Sequence, residues 1–265
     1  MKNCCILIPY YNSTKGLLSS IDSIIDDGIA PDIIIVDDGS TNKARQHIYS
    51  RYPNLIFHII ELPENRGIEH ALNAGLAFAV GKYKYIARLD CGDKIQNNRL
   101  QKQLDFLESN PDCYVVGSWA DFTSMSGRYL FTLKPPTSYE KIRSRMHINS
   151  MMAHVSVMFR ASVFKHVGFY PVNSPAAEDY ALFFKISKNF KMENIPEPLV
   201  CCTVDPGGIS SKKRRTQILS RIKIMLLNFN YAPIAFYGLA RSSILLLTPR
   251  SLSLFLNMLR NHFSQ

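Results

Sequence analysis

The chain has 265 residues, of which 46% are hydrophobic and 20% are charged, and its formal net charge is +10. This length and composition support one complete hydrophobic core with an appended segment, and they exclude disorder over most of the chain. The first residues, MKNCCILIPYYN, contain a short apolar run with no small-residue cleavage site after it. We therefore do not expect a secretory signal peptide here.

Six cysteines are present, and no pair of them has the CxxC spacing of a zinc or redox site. Two of the pairs are adjacent in sequence, which does not suit a disulfide framework. Reduced thiols in a cytoplasmic protein are the simplest interpretation.

The basic residues are concentrated at the carboxyl-terminal end. Residues 206–265 contain no Asp or Glu and nine basic residues: Lys212, Lys213, Arg214, Arg215, Arg221, Lys223, Arg241, Arg250 and Arg260. Taking these nine from the 31 basic residues leaves 22 in residues 1–205, against 21 acidic residues. The body is therefore nearly neutral, whereas a tail of this kind seeks the phosphates of lipid or nucleic acid. No nucleic-acid reading motif is visible, so we expect no nucleic-acid partner.

Strand-like and helix-like segments alternate through residue 110. Apolar, β-branched runs predict strands at 4–9, 32–38, 55–62 and 84–90. Apolar residues at helical spacing predict helices at 14–27, 42–51, 67–81 and 98–109. This alternation predicts βαβ units and a mostly parallel sheet.

The pattern changes after residue 112, and we expect a mixed continuation of the sheet. Further strands are predicted at 113–122, 128–134, 154–160 and 199–204. A helix that begins with two acidic residues is predicted at 178–190.

Polar residues follow three of the predicted parallel strands, at 10–12, 37–41 and 90–93. Because ligands of open α/β sheets bind at the carboxyl ends of strands, we expect these residues to meet in one cleft. Each candidate has two interpretations at this point. Asp37 and Asp38 either accept hydrogen bonds from a base or ribose or cap a helix. Tyr11 either stacks on a base or packs at the sheet edge, and Arg66 either meets a phosphate or is solvated.

The acidic residues further along also have two interpretations each. Asp90 and Asp93 are either hard oxygen ligands for Mg²⁺ or Mn²⁺ or a polar turn. Glu178 and Asp179 either supply a general base or favour the helix dipole. His154 is either a ligand or a packed, hydrogen-bonded histidine.

The order of these motifs resembles that of the inverting glycosyltransferases of family 2, over roughly residues 3–205. The series is Ile8-Pro9-Tyr10-Tyr11-Asn12, Ile35-Val36-Asp37-Asp38-Gly39-Ser40-Thr41, Asn65-Arg66-Gly67, Arg88-Leu89-Asp90-Cys91-Gly92-Asp93, His154-Val155-Ser156-Val157-Met158-Phe159-Arg160 and Glu178-Asp179-Tyr180. The resemblance implies an α/β protein of the GT-A fold. That fold has a Rossmann-like, mostly parallel central sheet with helices on both faces, and here a helical basic extension follows it.

The resemblance also implies a division of the chain. Residues 1–205 would form the catalytic domain, with nucleotide-sugar binding in about 1–110 and acceptor binding in about 111–205. Beyond the resemblance, the basic cluster followed by apolar residues at helical spacing predicts a basic, amphipathic, helical segment over residues 206–265. Its longest charge-free stretch, 224–240, is seventeen residues and contains Pro233. This is short for a membrane span, so the segment either lies on an anionic membrane surface or packs on the core as a helical subdomain.

On the donor side, the resemblance assigns Pro9 and Tyr11 to the nucleoside pocket. Asp38 would contact the base, and Asp37 would support it or the ribose. Arg66 is a candidate phosphate contact.

For the metal and the chemistry, the resemblance makes Asp90 the first acid of the family's DxD element. The family's third-position acid is Gly92 in this chain, so Asp93 is the nearby replacement as a ligand of Mn²⁺ or Mg²⁺. Asp179 would be the catalytic base. His154 and Glu178 are possible contacts to the acceptor or the diphosphate.

The resulting expectation is a metal-dependent, inverting glycosyltransferase that uses a nucleotide-sugar donor, with UDP as the expected nucleotide. The acceptor would be a lipid-diphosphate-linked sugar or an oligosaccharide, in the synthesis of O-antigen, capsule or a related bacterial polysaccharide. The protein would be cytoplasmic and peripheral on the inner face of the plasma membrane. Two alternatives stay open: a non-catalytic or decayed nucleotide-sugar-binding protein docked on the membrane, and a sugar-phosphate nucleotidyltransferase.

Overall fold

The computed structural model describes residues 2–204 and 213–248. The strands are β1 Lys2–Tyr10, β2 Asp32–Asp37, β3 Phe57–Glu61, β4 Tyr83–Arg88, β5 Lys94–Ile95, β6 Cys113–Ser124, β7 Tyr129–Leu133, β8 Met158–Arg160 and β9 Lys191–Val204. The helices are α1 Thr14–Asp26, α2 Arg45–Ile48, α3 Ile68–Ala79, α4 Arg99–Ser109, α5 Tyr139–Arg145, α6 Val163–Val167, α7 Glu178–Ser187, α8 Arg214–Leu227 and α9 Pro233–Leu247.

All of these strands belong to one sheet, in the order β3-β2-β1-β4-β8-β6-β9-β5, with β7 paired to β6. The four strands β3, β2, β1 and β4 are parallel. From β8 onward the sheet is mixed, because β8 is antiparallel to both β4 and β6 while β6 and β9 are parallel. The predicted parallel half and its mixed continuation are both confirmed.

The alternation of side chains along β1 builds two hydrophobic cores, one on each face of the sheet. Ile6 and Ile8 face α1 and α4, whereas Cys5 and Leu7 face α3 and α7. Gly75 allows α3 to approach closely, since an added Cβ there would lie 2.2 Å from Leu7 Cδ1. The expectation of helices on both faces is therefore confirmed.

Several predicted elements differ from the observed ones. The predicted strand 154–160 is wrong in its first half, where His154–Ser156 forms a 3₁₀ turn. The Ser156 hydroxyl donates to Ala153 O (2.9 Å) and accepts from Ser118 N (3.0 Å), and such local side-chain bonds compete with strand pairing. The helix predicted at 42–51 forms only at Arg45–Ile48. Pairing with β6 extends β9 back to Lys191, and α5 and α6 were not predicted.

Helices α8 and α9 pack on the body of the protein. Ile224 and Met225 are buried in the same core as the side chains of α7. The Asn228 carbonyl oxygen lies 2.9 Å from His147 Nε2, and an added Cβ on Gly238 would lie 1.8 Å from His147 O. The described part of the basic extension is therefore a helical pair docked on the core, and the division of the chain near residue 205 stays a prediction.

Some features predicted for the extension lie outside the described residues, namely Lys212, Arg250, Arg260 and the apolar run 252–259. Within residues 2–204 and 213–248, no helix has the length and apolar character needed to cross a membrane.

Candidate active site

The carboxyl ends of β2, β1 and β4 lie side by side in the sheet. Asp38 N donates to Tyr10 O (2.9 Å), and Leu89 N donates to Leu7 O (3.1 Å). The three polar segments that follow these strands are thereby held along one edge, where the topology predicts a cleft.

Asp38 anchors the loop that enters α3. Its Oδ1 accepts from Arg66 N (2.9 Å) and its Oδ2 accepts from Gly67 N (3.0 Å). The side chain is 4% exposed, and each oxygen keeps a second lone pair for a ligand. The same loop leaves Arg66 exposed at the rim. Gly39, beside Asp38, has φ +68°, and a Cβ there would meet the Glu64 backbone at 2.2 Å.

Asp37 is fully buried, and each of its carboxylate oxygens accepts a hydrogen bond from a backbone N–H group. Its Oδ1 accepts from Ser40 N (2.8 Å) and its Oδ2 accepts from Ala44 N (3.1 Å). The carboxylate thus holds the turn after β2 in place, which is a supporting position beneath Asp38.

Asn12 joins the ends of β1 and β2, a role that the sequence analysis missed. Its Oδ1 accepts from Thr41 N (3.0 Å) and Asn42 N (3.1 Å), and its φ of 49° is one that Asn tolerates well. An Asn two residues after the end of a strand was the available signal in the sequence. Tyr11, 51% exposed, stands on this junction at the rim, and Pro9 is half-buried in β1.

Arg88, the last residue of β4, provides a buried positive charge beside Asp90. The Arg88 side chain is 2% exposed, and its Nη2 lies 2.6 Å from Asp90 Oδ1. Within the described residues, Asp90 Oδ1 and all three guanidinium nitrogens of Arg88 are buried without a well-aligned hydrogen bond, so the contact is an ion pair. The Asp90 side chain itself is 37% exposed, so it faces the cleft. A charged residue at the end of an apolar strand was a signal for Arg88 that the sequence analysis did not use.

Gly92 is required by the turn between β4 and β5. Its φ is +103°, a conformation that a side chain strains, and its N donates to Ser20 Oγ on α1 (2.9 Å). The family's third-position acid would therefore strain this turn.

Asp93 points toward β9. Its Oδ1 accepts from Thr203 N (3.1 Å), and Ser20 Oγ donates to its backbone oxygen (2.7 Å). Burial, and then the nearby charge of Asp90, raise the pKa of Asp93 to about 7.

The residues present fit a divalent cation only in part. Asp90 and Asp93 supply hard carboxylate oxygens close enough to interact electrostatically. In the part of the chain that the structure describes, no group of three His, Cys, Asp or Glu side chains is arranged to hold a metal ion. A cation here would need further oxygen ligands from a bound diphosphate.

Glu178 and Asp179 begin α7, where the helix dipole favours acids. Burial raises the pKa of Asp179, and the positive charges of Arg221 and Arg88 oppose that rise. Burial, and then the charge of Asp179, raise the pKa of Glu178 to about 7. Within the described residues Glu178 Oε2 is buried without a hydrogen-bond partner. Acids with raised pKa values beside fixed cations are typical of general-base sites.

His154 is packed and hydrogen-bonded. Its Nε2 lies 2.8 Å from the Tyr170 hydroxyl, and its ring contacts Phe183 edge to face. Burial, and then the charge of Arg88, hold the pKa of His154 well below its ordinary value. The positive charge of Arg88 therefore acts on Asp90 and also on His154 and the start of α7. Tyr11 and Arg66 are exposed and lie at the rim.

The fold is shared with glycosyltransferases of known structure. A mannosyltransferase from Pyrobaculum calidifontis, in complex with GDP-Man and Mn²⁺, superposes with a TM-score of 0.66 at 18% identity, covering 92% of this chain and 69% of that one. TarS 1–349 of S. aureus, in complex with UDP-GlcNAc, superposes with a TM-score of 0.67 at 19% identity, covering 100% of this chain and 73% of that one. The architecture is therefore that of a GT-A glycosyltransferase.

Sequence comparison gives the family. The glycosyl transferase family 2 model matches residues 5–168, more than half of the chain, and the protein belongs to this family. Among its relatives, the amylovoran biosynthesis glycosyltransferase AmsE of Erwinia amylovora is 26% identical over 225 residues, 83% of each chain. A UDP-Gal:alpha-D-GlcNAc-diphosphoundecaprenol beta-1,3-galactosyltransferase of Escherichia coli is 29% identical over 194 residues, covering 71% of this chain and 69% of the enzyme. Membership of this family decides against the nucleotidyltransferase alternative.

Proposed function

We propose that this protein transfers a sugar from a UDP-sugar to an acceptor hydroxyl, with inversion at the anomeric carbon, in the synthesis of a bacterial surface polysaccharide. The observation that carries the proposal is the buried cation Arg88, which pairs with Asp90 at 2.6 Å and whose charge also opposes the rise that burial causes in the pKa of Asp179. The family match and the relatives that act in amylovoran synthesis and on a lipid-diphosphate-linked sugar support it.

The donor lies along the carboxyl ends of β1, β2 and β4. Tyr11 stacks on the base at the rim beside Pro9, and Asp38 accepts a hydrogen bond from the base with its remaining lone pairs. Asp37 positions this turn without touching the donor, because it is fully buried and its carboxylate is held by the backbone N–H groups of Ser40 and Ala44. Arg66, exposed at the start of α3, is placed to pair with a phosphate.

Asp90 and Asp93 would hold Mn²⁺ or Mg²⁺ together with the diphosphate of the donor. When bound, the cation offsets the negative charge that develops on the leaving diphosphate. Arg88 holds one oxygen of the Asp90 carboxylate close through the 2.6 Å ion pair. The mannosyltransferase neighbour with bound Mn²⁺ supports metal use in this fold.

Asp179 acts as the general base. It takes the proton from the acceptor hydroxyl, and the acceptor oxygen attacks the anomeric carbon from the face opposite the nucleotide. The bond between that carbon and the diphosphate oxygen breaks, and its electron pair leaves with the nucleotide. A single displacement of this kind inverts the anomeric configuration. Glu178 and the pair His154–Tyr170 border the acceptor side of the site.

A thermal-shift screen of nucleotide sugars, with and without Mn²⁺, tests the donor assignment. We expect a UDP-sugar with Mn²⁺ to raise the unfolding midpoint more than Mn²⁺ alone, because a ligand that binds only the folded state stabilises it. GDP- and dTDP-sugars serve as controls for the base. No shift with any nucleotide sugar would contradict the proposed function.

We also propose that α8 and α9 rest on an anionic membrane surface, where a lipid-linked acceptor would be found. Large apolar side chains are exposed on this pair of helices: Leu219, Leu226, Leu227, Tyr231, Phe236, Tyr237, Ile244 and Leu247. Exposed Lys213, Arg215 and Lys223 lie on the same helical segment. Apolar side chains beside basic ones suit the interface of anionic lipids.

Flotation with anionic liposomes tests this surface. Removing α8 would also remove core residues, so point substitutions are preferred. We expect the double variant Leu227→Ser, Tyr231→Ser to bind vesicles about tenfold more weakly, since two large apolar groups no longer enter the interface. Met125→Ser, at an exposed residue in the β6–β7 turn, is the matched control. Equal flotation of the double variant and the control would remove this surface from the proposal.

A further inference from the structure

Arg221 lies where α8 meets the loop that leads into α7. The preceding residue, Ser220, donates its hydroxyl proton to Pro175 O at 2.9 Å. Pro175 stands three residues before Glu178, and the intervening Ala176 has φ +58°. The loop that precedes Glu178 and Asp179 is therefore attached to α8 one residue away from Arg221.

The position of α8 is fixed by packing. Met225 is fully buried, and Ile224 shares the hydrophobic core with Phe183 of α7. Ser242 of α9 donates to Met225 Sδ at 3.7 Å, which joins the two carboxyl-terminal helices. Arg221 is consequently held at a defined place relative to the start of α7.

The surroundings of Arg221 show what its charge faces. Within the described residues, its Nε is buried without a hydrogen-bond partner, which is costly unless a negative charge is near. Its charge acts on Asp179 and on Tyr180 of the same helix turn.

Asp179 faces charged groups from several elements. Arg88 of β4 acts in the same direction as Arg221, whereas Asp90 acts in the opposite direction. Glu178 is the adjacent acid on α7, and Tyr170 is the titratable group on the loop before it.

We propose that Arg221 is a positioning residue for sugar transfer: held by the docked helix α8 beside the loop that enters α7, its partly buried positive charge favours the ionised form of Asp179. This inference rests on the proposed role of Asp179 as the base. It also gives the carboxyl-terminal helices a part in the chemistry beyond any contact with lipid.

The pH dependence of turnover, measured at saturating Mn²⁺ so that protonation of Asp93 does not set the limb, tests the inference. The base works only when ionised, so turnover falls as the pH drops through its pKa. Removing the opposite charge in Arg221→Gln raises that pKa, so the acidic limb should move upward by about one pH unit. Turnover on that limb then falls about tenfold, whereas turnover above the limb and the donor KM stay near those of the wild type. Arg221→Lys keeps the charge and should return the limb toward its original position.

Arg128→Gln, in the exposed β6–β7 turn, is the control for loss of a positive charge. Should Arg221→Gln fold poorly, Arg221→Met retains the length and apolar part of the side chain, and its pH profile is measured instead. An unchanged acidic limb in the folded Gln or Met variant would overturn the inference while leaving the proposed function intact. Wild-type turnover in Asp179→Asn would overturn the assigned base instead, so the two failures are distinguishable.

Discussion

Replacing Asp179 with asparagine is expected to lower the turnover number by on the order of 10³-fold, with the donor KM nearly unchanged. The amide has almost the same shape as the carboxylate, so the start of α7 is retained. It cannot accept the proton of the acceptor hydroxyl, and the attacking oxygen stays a weak nucleophile. Release of the nucleotide in the presence of acceptor is the measurement.

The matched control for Asp179→Asn is Glu140→Gln. Glu140 is also an acid in the first turn of a helix, α5, but it is exposed. Its replacement tests whether losing an acid at a helix start is by itself harmful. We expect turnover within about twofold of the wild type, because an exposed charge at a helix end contributes only about 0.3–1 kcal/mol to stability.

The substitutions Asp90→Asn and Asp93→Asn are expected to affect the metal dependence of turnover differently. Asp90→Asn should reduce turnover by on the order of 10²–10³-fold at every Mn²⁺ concentration, because it removes the exposed acid of the ion pair with Arg88. Asp93→Asn should leave turnover at saturating metal closer to the wild type. Its half-saturating Mn²⁺ concentration should rise by about tenfold, since one Asp93 oxygen is already committed to Thr203 N.

The raised pKa of Asp93 gives this prediction a pH signature. With a pKa of about 7, the carboxyl is largely protonated below that pH and ionised above it. Because a metal ligand must be deprotonated, Mn²⁺ affinity of the wild type should increase from about pH 6 to about pH 8. Asp93→Asn should lose most of this increase. If Asp93→Asn had the same half-saturating Mn²⁺ concentration as the wild type at both pH values, Asp93 would be excluded as a ligand and Asp90 alone would remain proposed.

The parallel half of the fold was predictable because its strands are buried on both faces. A segment such as DIIIVD is fully buried, so an uninterrupted apolar run identifies it. The expected meeting of the strand ends followed from the same topology. Elements fixed by distant contacts were not predictable: the extent of β9 depends on its pairing with β6, and the 3₁₀ turn at His154–Ser156 depends on Ser118.

The site divides in a similar way. Asp38, Asp90 and Asp179 stand at element ends, where their sequence positions are informative. The bonds that Asp37 makes to Ser40 N and Ala44 N are local and of the capping kind considered in the sequence analysis. The requirement for Gly92 depends on a positive φ that no local pattern encodes. Arg221 is 42 residues from Asp179 in sequence, so only the docking of α8 brings it near the site. A basic residue in a basic tail gave no sign of this.

The claim at the centre of this account is that Asp179, and not its neighbour Glu178, removes the acceptor proton. Turnover at saturating donor, metal and acceptor, measured side by side for Asp179→Asn and Glu178→Gln, tests it most directly. The account predicts a loss on the order of 10³-fold for Asp179→Asn and of less than about tenfold for Glu178→Gln. Wild-type turnover in Asp179→Asn, or the larger loss in Glu178→Gln, would contradict it.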